Sequence, residues 1–302
     1  NSDGTSHYEV IYNKYFEYNE ELYQKLTNIR DKIKTSKDIK ILSSELKTLE
    51  KEITLFHAKI VNKILKEVSD NIDFVGFHGQ TIFHNADEKI SRQLGDGNLL
   101  SQLTKKIIIY DFRQNDLLNG GQGAPLTPIF HNIMVSKINK EFEIGYPISI
   151  LNIGGISNIT HTKEPKQSYG GIFADDIGPG NCLIDEWIRK NSKYKYDKDG
   201  LIAKSGKINE LIFNQAIDNF LHPDEDKPKS LDVKDFDVLF ARGLSLEDGA
   251  ATITHLTARL IGEGLIHFML KNYAPRLDTL SKAICLVCGG GRKNKLLIDI
   301  LK

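Results

Sequence analysis

The sequence is short of three things. Only three of its 302 residues are cysteine, Cys182, Cys285 and Cys288. An odd count in a chain this long argues against a disulfide framework and for a reducing cytoplasm. Net charge is absent too. Forty Lys plus Arg balance forty Asp plus Glu, so no global bias draws the chain to nucleic acid or an acidic membrane. Long apolar runs are also missing. Nothing reaches the roughly 18 residues of a membrane span, so no transmembrane helix is expected, and no secretory signal is read at the start. Cys285 and Cys288 do form a C-x-x-C. Ala283–Cys288 nevertheless reads as a buried strand, and no second Cys/His pair stands at metal spacing. Buried thiols are expected there, and no metal site.

Hydrophobic residues make up 40 % of the chain, enough for a core, and the length allows one large domain or two ordinary ones. Tyr8–Tyr12 reads as a strand. From Ile39 to Leu65 apolar residues recur at three- and four-residue steps, the pattern of an amphipathic helix. Residues 72–83 read as an apolar strand ending in His78-Gly79-Gln80-Thr81. A polar cluster at such an end can bind a ligand, or can be a hydrogen-bonded turn. Ile107–Tyr110 is a short strand leading to Asp111-Phe112-Arg113. Arg113 can hold a carboxylate or phosphate, or can pair with Asp111 or Asp116. The glycine loop Asn119–Leu126 has no Lys-Ser or Lys-Thr after it and is not a P-loop.

The character of the chain changes between Lys140 and Pro147. The expected boundary separates residues 1–146 from 147–302. A strand at 148–153 turns at Gly154-Gly155, and a second leaves from Ile156. Such a hairpin can wrap a phosphate or simply turn. Tyr196–Gly200 and His222–Ser230 read as surface loops, and a helix lies near 207–220. Asp248 is the expected cap of a helix running to Met269. The strand ending at Cys288 is followed by Gly289-Gly290-Gly291 and another helix, an arrangement common at nucleotide sites.

The stretch Gly171–Trp187 carries the most chemistry. An apolar run ends in Asp175 and Asp176, Gly178-Pro179-Gly180-Asn181 makes a turn, and Leu183, Ile184, Trp187 and Ile188 follow at helical spacing. The expected order is strand, acidic turn, helix. Free N–H groups at the helix start would favour an anion. The carboxylate can act as a general base or can merely cap the turn.

Taken together, these segments resemble anhydro-N-acetylmuramic acid kinases, of the sugar kinase, Hsp70 and actin superfamily. The matches are His78–Thr81, Gln93–Gly97, Asp111–Arg113, Gly120–Leu126, Asn152–Asn158, Asp176–Asn181 and Cys288–Gly291, in the family's order from about residue 72 onward. The first 70 residues match only loosely. The resemblance implies an α/β fold of two ribonuclease-H-like (actin-like ATPase) domains with a cleft between them. The first would take the sugar and the second the nucleotide. It implies ATP-dependent phosphorylation of 1,6-anhydro-N-acetylmuramic acid with hydrolytic ring opening, in cell-wall recycling. Mg2+ would bridge the phosphates. Asp176 would be the base. His78, Gln80, Thr81, Arg113 and Gln122 would face the sugar. Asn152, Gly154, Gly155, Asn158, Gly178, Gly180, Gly289, Gly290 and Gly291 would hold the nucleotide.

The sequence departs from the family pattern in two respects. The family opens with a strand and the phosphate loop Met-Ser-Gly-Thr-Ser-x-Asp-Gly, whereas here Gly4-Thr5-Ser6 runs into His7 and Tyr8. That segment reads as a chance match. The family also continues well past Gly291, so the chain is expected to be cut short at both ends, with apolar surface that favours a homodimer. A crippled remnant that binds nucleotide or sugar without turnover is the alternative reading. Asp175, in turn, stands where the family has an apolar residue. Adjacent strand residues face opposite ways, and register with Gly178–Asn181 favours Asp176 as the base.

Overall fold

A computed structural model describes residues 8–162, 172–221, 236–273 and 284–302. The chain is mixed α/β and divides into two compact units, Asn1–Leu126 and Thr127–Lys302.

The first unit opens with three helices, α1 (Glu20–Lys32), α2 (Ser36–Ile41) and α3 (Ser43–Glu67). Asn19 caps α1 by accepting from the Leu22 amide at 2.8 Å. The expected single helix from Ile39 breaks at Leu42, whose ψ of 14° leaves the helical range. Leu22, Leu26 and Ile29 on α1 meet Leu46, Leu49 and Ile53 on α3, over Ile82, Phe83 and Leu94 of a hairpin. Burying each of these side chains is worth about 1.5–3 kcal/mol.

The hairpin is β2 (Gln80–Asn85) against β3 (Ile90–Leu94), antiparallel. Separately, β1 (Phe74–Phe77) pairs in parallel with β4 (Ile107–Tyr110), joined through α4 (Gly97–Thr104). The expected single strand over 72–83 is therefore two. It bends at Gly79, where φ is +68° and a Cβ would stand 2.5 Å from the Leu94 carbonyl oxygen. The expected strand at Tyr8–Tyr12 does not form. Only Tyr8 makes a bridge, and Val10 and Ile11 are exposed, because an extended run without a partner strand gains nothing from pleating. The short helix α5 (Phe112–Leu118) closes the unit.

The second unit begins with α6 (Pro128–Phe142), twenty residues earlier than the expected boundary in its grouping of helix with sheet. The reason is packing. Val135 of α6 is buried with Ile148 and Ile150, and His131 bonds Thr160 through Nδ1 at 2.7 Å. The sheet has the order β7-β6-β5-β8, with β5 (Ile148–Ile153), β6 (Ile156–Thr162), β7 (Ile172–Pro179) and β8 (Ile284–Cys288). Only β6 runs against the other three. The carboxyl ends of β5, β7 and β8 therefore lie along one edge. The opposite face is covered by α7 (Cys182–Asn191) and α10 (Leu246–Tyr273), with Ile153, Leu183, Ile184, Ile188, Ile253 and Ile261 in its core. The helices α8 (Leu201–Ser205), α9 (Glu210–Leu221) and α11 (Lys295–Leu301) complete the unit.

Two local expectations change here. Asp197 is buried, not part of a surface loop, because its carboxylate accepts from the Ile202 and Ala203 amides at 2.9 Å each. α10 starts at Leu246 and is capped by Ser245, which accepts from the Asp248 amide at 3.0 Å. Asp248 instead accepts from the Lys207 amide. The expected loop His222–Ser230 lies outside the described residues, as does Gly4–Ser6.

Candidate functional site

In the first unit the polar groups gather where the strands end. His78 follows β1 directly. Its Nδ1 donates to the Gly79 carbonyl at 2.9 Å, which leaves Nε2 to accept from Arg113 Nε at 3.3 Å and Nη2 at 3.1 Å. Arg113 Nη1 donates to the Gly123 carbonyl at 2.7 Å. The Gly123 amide in turn donates to Asp116 Oδ2 at 2.7 Å. The glycine loop is thus tied to α5. Arg113 pairs with neither Asp111 nor Asp116. Among the described residues it forms no ion pair, although burial lowers its pKa. A half-buried guanidinium bonded only to neutral acceptors retains its attraction for an anion.

Beside this network lies a cavity of about 350 Å³ bounded by Phe77, His78, Arg92, Gln93, Tyr110 and Asp111. Asp111 takes a left-handed φ of +59°, a conformation Asp tolerates better than most residues. Thr81 sits across β2–β3 from Gln93 and accepts from its Nε2 at 3.2 Å. Gln80 is half-buried opposite Leu94, and Gln122 is exposed in the glycine loop. His78 and Arg113 are therefore in contact, while Thr81 belongs to a separate pair, and among the described residues Gln80 and Gln122 make no side-chain hydrogen bond to either. The Gln93–Gly97 turn is structural. Asp96 caps α4 through the Leu99 amide at 2.9 Å, and a Cβ on Gly97 would stand 2.2 Å from the Tyr110 ring.

In the second unit the register produces one row of polar side chains. Asp176 of β7 is opposite Asn158 of β6, Asn158 opposite Asn152 of β5, and Asn152 opposite Cys288 of β8. Partners across a ladder share a face, so all four line the face that also carries Ile148, Ile150 and α6. Asp175 is opposite Ile159, which packs with Phe173, Ile177 and Phe268 on the other face. The two carboxylates are thus inside a strand, not in the turn after it. The strand continues through the turn because Ser157 Oγ donates to the Pro179 carbonyl at 3.0 Å and holds its end. A bulge at Ser157/Asn158 lets β7 carry one extra residue.

Beyond that row the strand ends converge. The amides of Gly180, Asn181 and Cys182 donate to the carbonyls of Gly155, Gly154 and Gly155 at 2.8, 2.7 and 3.2 Å. The β5–β6 turn therefore takes the Cys182 amide, the first of α7, and the two amides ahead of it, so part of the expected N–H cluster for an anion is already occupied. Three glycines serve this convergence. A Cβ on Gly180 would lie 2.3 Å from the Gly154 oxygen, one on Gly289 2.5 Å from the Ile153 oxygen, and one on Gly291 2.2 Å from Ile153 Cγ2. Gly178 takes φ +151° against Leu260. Gly290 differs, since a Cβ there would meet only Asn181 Nδ2, at 3.8 Å. Gly290 is thus the least crowded glycine of this convergence.

Asn181, the last residue of the turn motif, donates through its side chain to the Gly154 carbonyl at 3.0 Å and ties the start of α7 to the β5–β6 turn. Arg292 places a cation there, donating to the Gly289 carbonyl at 2.6 Å. Composition gave no signal for either beyond their place in the motifs. Cys285 is exposed, not buried, because β8 is an edge strand of the sheet that the described residues form. Among the described residues no group of three or more His, Cys, Asp or Glu could hold a metal ion, and no helix is long and apolar enough to cross a membrane.

A family model described as anhydro-N-acetylmuramic acid kinase matches residues 4–302. The chain belongs to that family. The match extends the likeness over the N-terminal helices, where the motifs alone carried it only from about residue 72. An anhydro-N-acetylmuramic acid kinase of Pelagibacter ubique is 48 % identical over 301 residues, covering 100 % of this chain and 77 % of that protein. One of Rhizobium etli is 37 % identical over 84 % of this chain and 65 % of its own length, and one of Agrobacterium fabrum 38 % identical over 85 % and 65 %. The chain thus spans about two thirds to three quarters of these anhydro-N-acetylmuramic acid kinases.

Proposed function

We propose that this protein carries out the ATP-dependent phosphorylation of 1,6-anhydro-N-acetylmuramic acid, with hydrolytic opening of the anhydro ring to give N-acetylmuramic acid 6-phosphate, in cell-wall recycling. Family membership supports the reaction, and likeness at 48 % identity over the whole of this chain favours it over an inactive remnant. The single structural observation that carries it is the Asp176–Asn158–Asn152 row beside the glycine-rich strand ends.

In this reading each unit is a ribonuclease-H-like domain, a view supported in the second by three strands running one way with β6 against them. The first takes the sugar. Arg113 lacks a carboxylate partner among the described residues, so it suits the lactyl carboxylate, and His78 orients its guanidinium. Thr81, Gln80 and Gln122 complete the sugar side. The second unit takes the nucleotide, with Asn152, Asn158, Gly154, Gly155 and Gly290 near its phosphates. Gly178, Gly180, Gly289 and Gly291 act by keeping the strand ends close enough to form that surface. ATP, when bound, supplies the phosphoryl group, and a magnesium ion on its phosphates needs only one or two protein carboxylates. Asp176 takes the proton from the water that attacks the anomeric carbon. Asp175 sits opposite Ile159 on the other face, which favours Asp176 over it for that role. The protein is read as cytoplasmic and homodimeric, the latter checked by sedimentation.

The test is to incubate the protein with ATP and the anhydro sugar, and to follow ADP and the sugar phosphate. Equal yields of both support the proposal. ATP hydrolysis independent of the sugar, or no phosphorylated sugar at all, overturns it.

A further inference from the structure

A carboxamide attracts an anion with its amine and repels it with its oxygen, so the way Asn152 faces matters. Three contacts settle that direction. Cys288 Sγ donates to Asn152 Oδ1 at 3.6 Å. A Cβ on Gly289 would lie 2.6 Å from the same oxygen, which places the oxygen on the β8 side. Nδ2 points the other way, 3.7 Å from where a Cβ on Gly154 would stand. Among the described residues nothing accepts from Nδ2.

We infer that Cys288 is a positioning residue: its thiol holds the Asn152 carboxamide with the amine turned to the Gly154 turn, ready to donate to a nucleotide phosphate. This inference rests on the nucleotide reading given above. Burial raises the Cys288 pKa, so the thiol stays protonated and remains a donor. Without it, nothing described on the β8 side would prevent the amide from turning its oxygen toward the phosphate.

Cys288 also packs against the cluster of Val135, Ile148 and Ile150, so its role could be packing alone. Two substitutions separate the roles. Cys288→Val keeps apolar bulk and removes the donor, whereas Cys288→Ser keeps a donor and removes apolar bulk. Two readouts apply, the Kd for ATP by titration and the side-chain amide resonances of Asn152 in the ligand-free protein. The inference expects Cys288→Val to weaken ATP binding about fivefold, the scale of one neutral hydrogen bond, and to shift the Asn152 amide pair. Cys288→Ser should bind ATP close to the parent. The reverse ranking means packing alone and overturns the inference. If Cys288→Val does not fold, Cys288→Ala takes its place with the same expectation. Asn152→Ala serves as the reference. If it weakens ATP binding while Cys288→Val does not, the positioning role falls and the nucleotide reading stands. If neither variant changes ATP binding, both fall.

Discussion

The two units build their polar surfaces from different material. In the first, side chains on short loops bond one another. Arg113 reaches His78 and the Gly123 carbonyl, and Asp116 holds the loop from behind. In the second, side chains supply one row, and main chain supplies the rest through glycines whose absent Cβ atoms let three strand ends meet. A side-chain site can lose one group and keep its frame. A main-chain site cannot, because the same glycines build the fold and the surface. Substitutions in the first unit should therefore separate binding from stability, while those in the second should couple them.

The sharpest test lies in the row. Asp176→Asn should lower turnover by about 100- to 10,000-fold with little change in melting temperature, the usual loss for a positioned general base. Asp175→Asn should be much milder in turnover, and the opposite ranking would move the base to Asp175. In the first unit, Arg113→Lys removes the paired contacts to His78 and should weaken binding of the anhydro muramyl sugar roughly 10- to 100-fold, the range for hydrogen bonds to charged groups. Anhydro-N-acetylglucosamine, which lacks the lactyl carboxylate, is the control. Equal losses for both sugars would remove Arg113 from the carboxylate.

Coupling in the second unit is tested by two glycines. Gly180→Ala forces a Cβ to 2.3 Å from a carbonyl oxygen and should destabilise the protein by about 1–3 kcal/mol, with ATP affinity falling alongside. Gly290→Ala meets only Asn181 Nδ2, at an ordinary contact distance of 3.8 Å, and should leave the melting temperature unchanged while weakening ATP binding. If Gly290→Ala binds ATP normally, the phosphates do not approach that turn.

The smallest effect is electrostatic. Burial pushes the Asp185 carboxyl up to about 6 from its usual 3.8, with Asp197 adding to the shift and Arg189 opposing it. The folded state thus holds that proton more tightly than the unfolded chain does. Its contribution is greatest below about pH 4 and is lost as pH rises through about 6. Asp185→Asn should flatten the melting temperature between those values and stabilise the protein at neutral pH by on the order of 1–2 kcal/mol, allowing for partial exposure. An unchanged pH profile would show that Asp185 is not the group responsible.

Much of this was legible in the residues. The strand over 148–153, the turn at Gly154-Gly155 and the helix after Asn181 follow from apolar spacing and turn chemistry, which are local. What was not legible depends on partners distant in sequence. Tyr8–Tyr12 has the composition of a strand, but composition does not supply a neighbour. The Cys182 N–H at the start of α7 and the two before it looked free because the carbonyls that take them belong to Gly154 and Gly155, more than twenty positions away. The same holds for Cys288. Its spacing from Cys285 suggested a pair of thiols, yet alternation along β8 puts them on opposite faces, and only cross-strand register brings Cys288 to Asn152.

The bulge opposite Ser157 has a consequence of another kind. β7 is read against β6 in a frame, and the extra residue sets it so that Asp176 meets Asn158 and Asp175 meets Ile159. A regular ladder running on from Ser157 and Gly178 would instead set Ile177 opposite Asn158 and turn Asp176 toward Ile159. The row would lose its carboxylate to the apolar side of the sheet, and an isoleucine would take its place. Deleting Ile177 would close the bulge and leave Asp176 opposite Asn158 and Asp175 opposite Ile159. One unpaired isoleucine thus decides which side of the sheet is acidic, without itself belonging to the row.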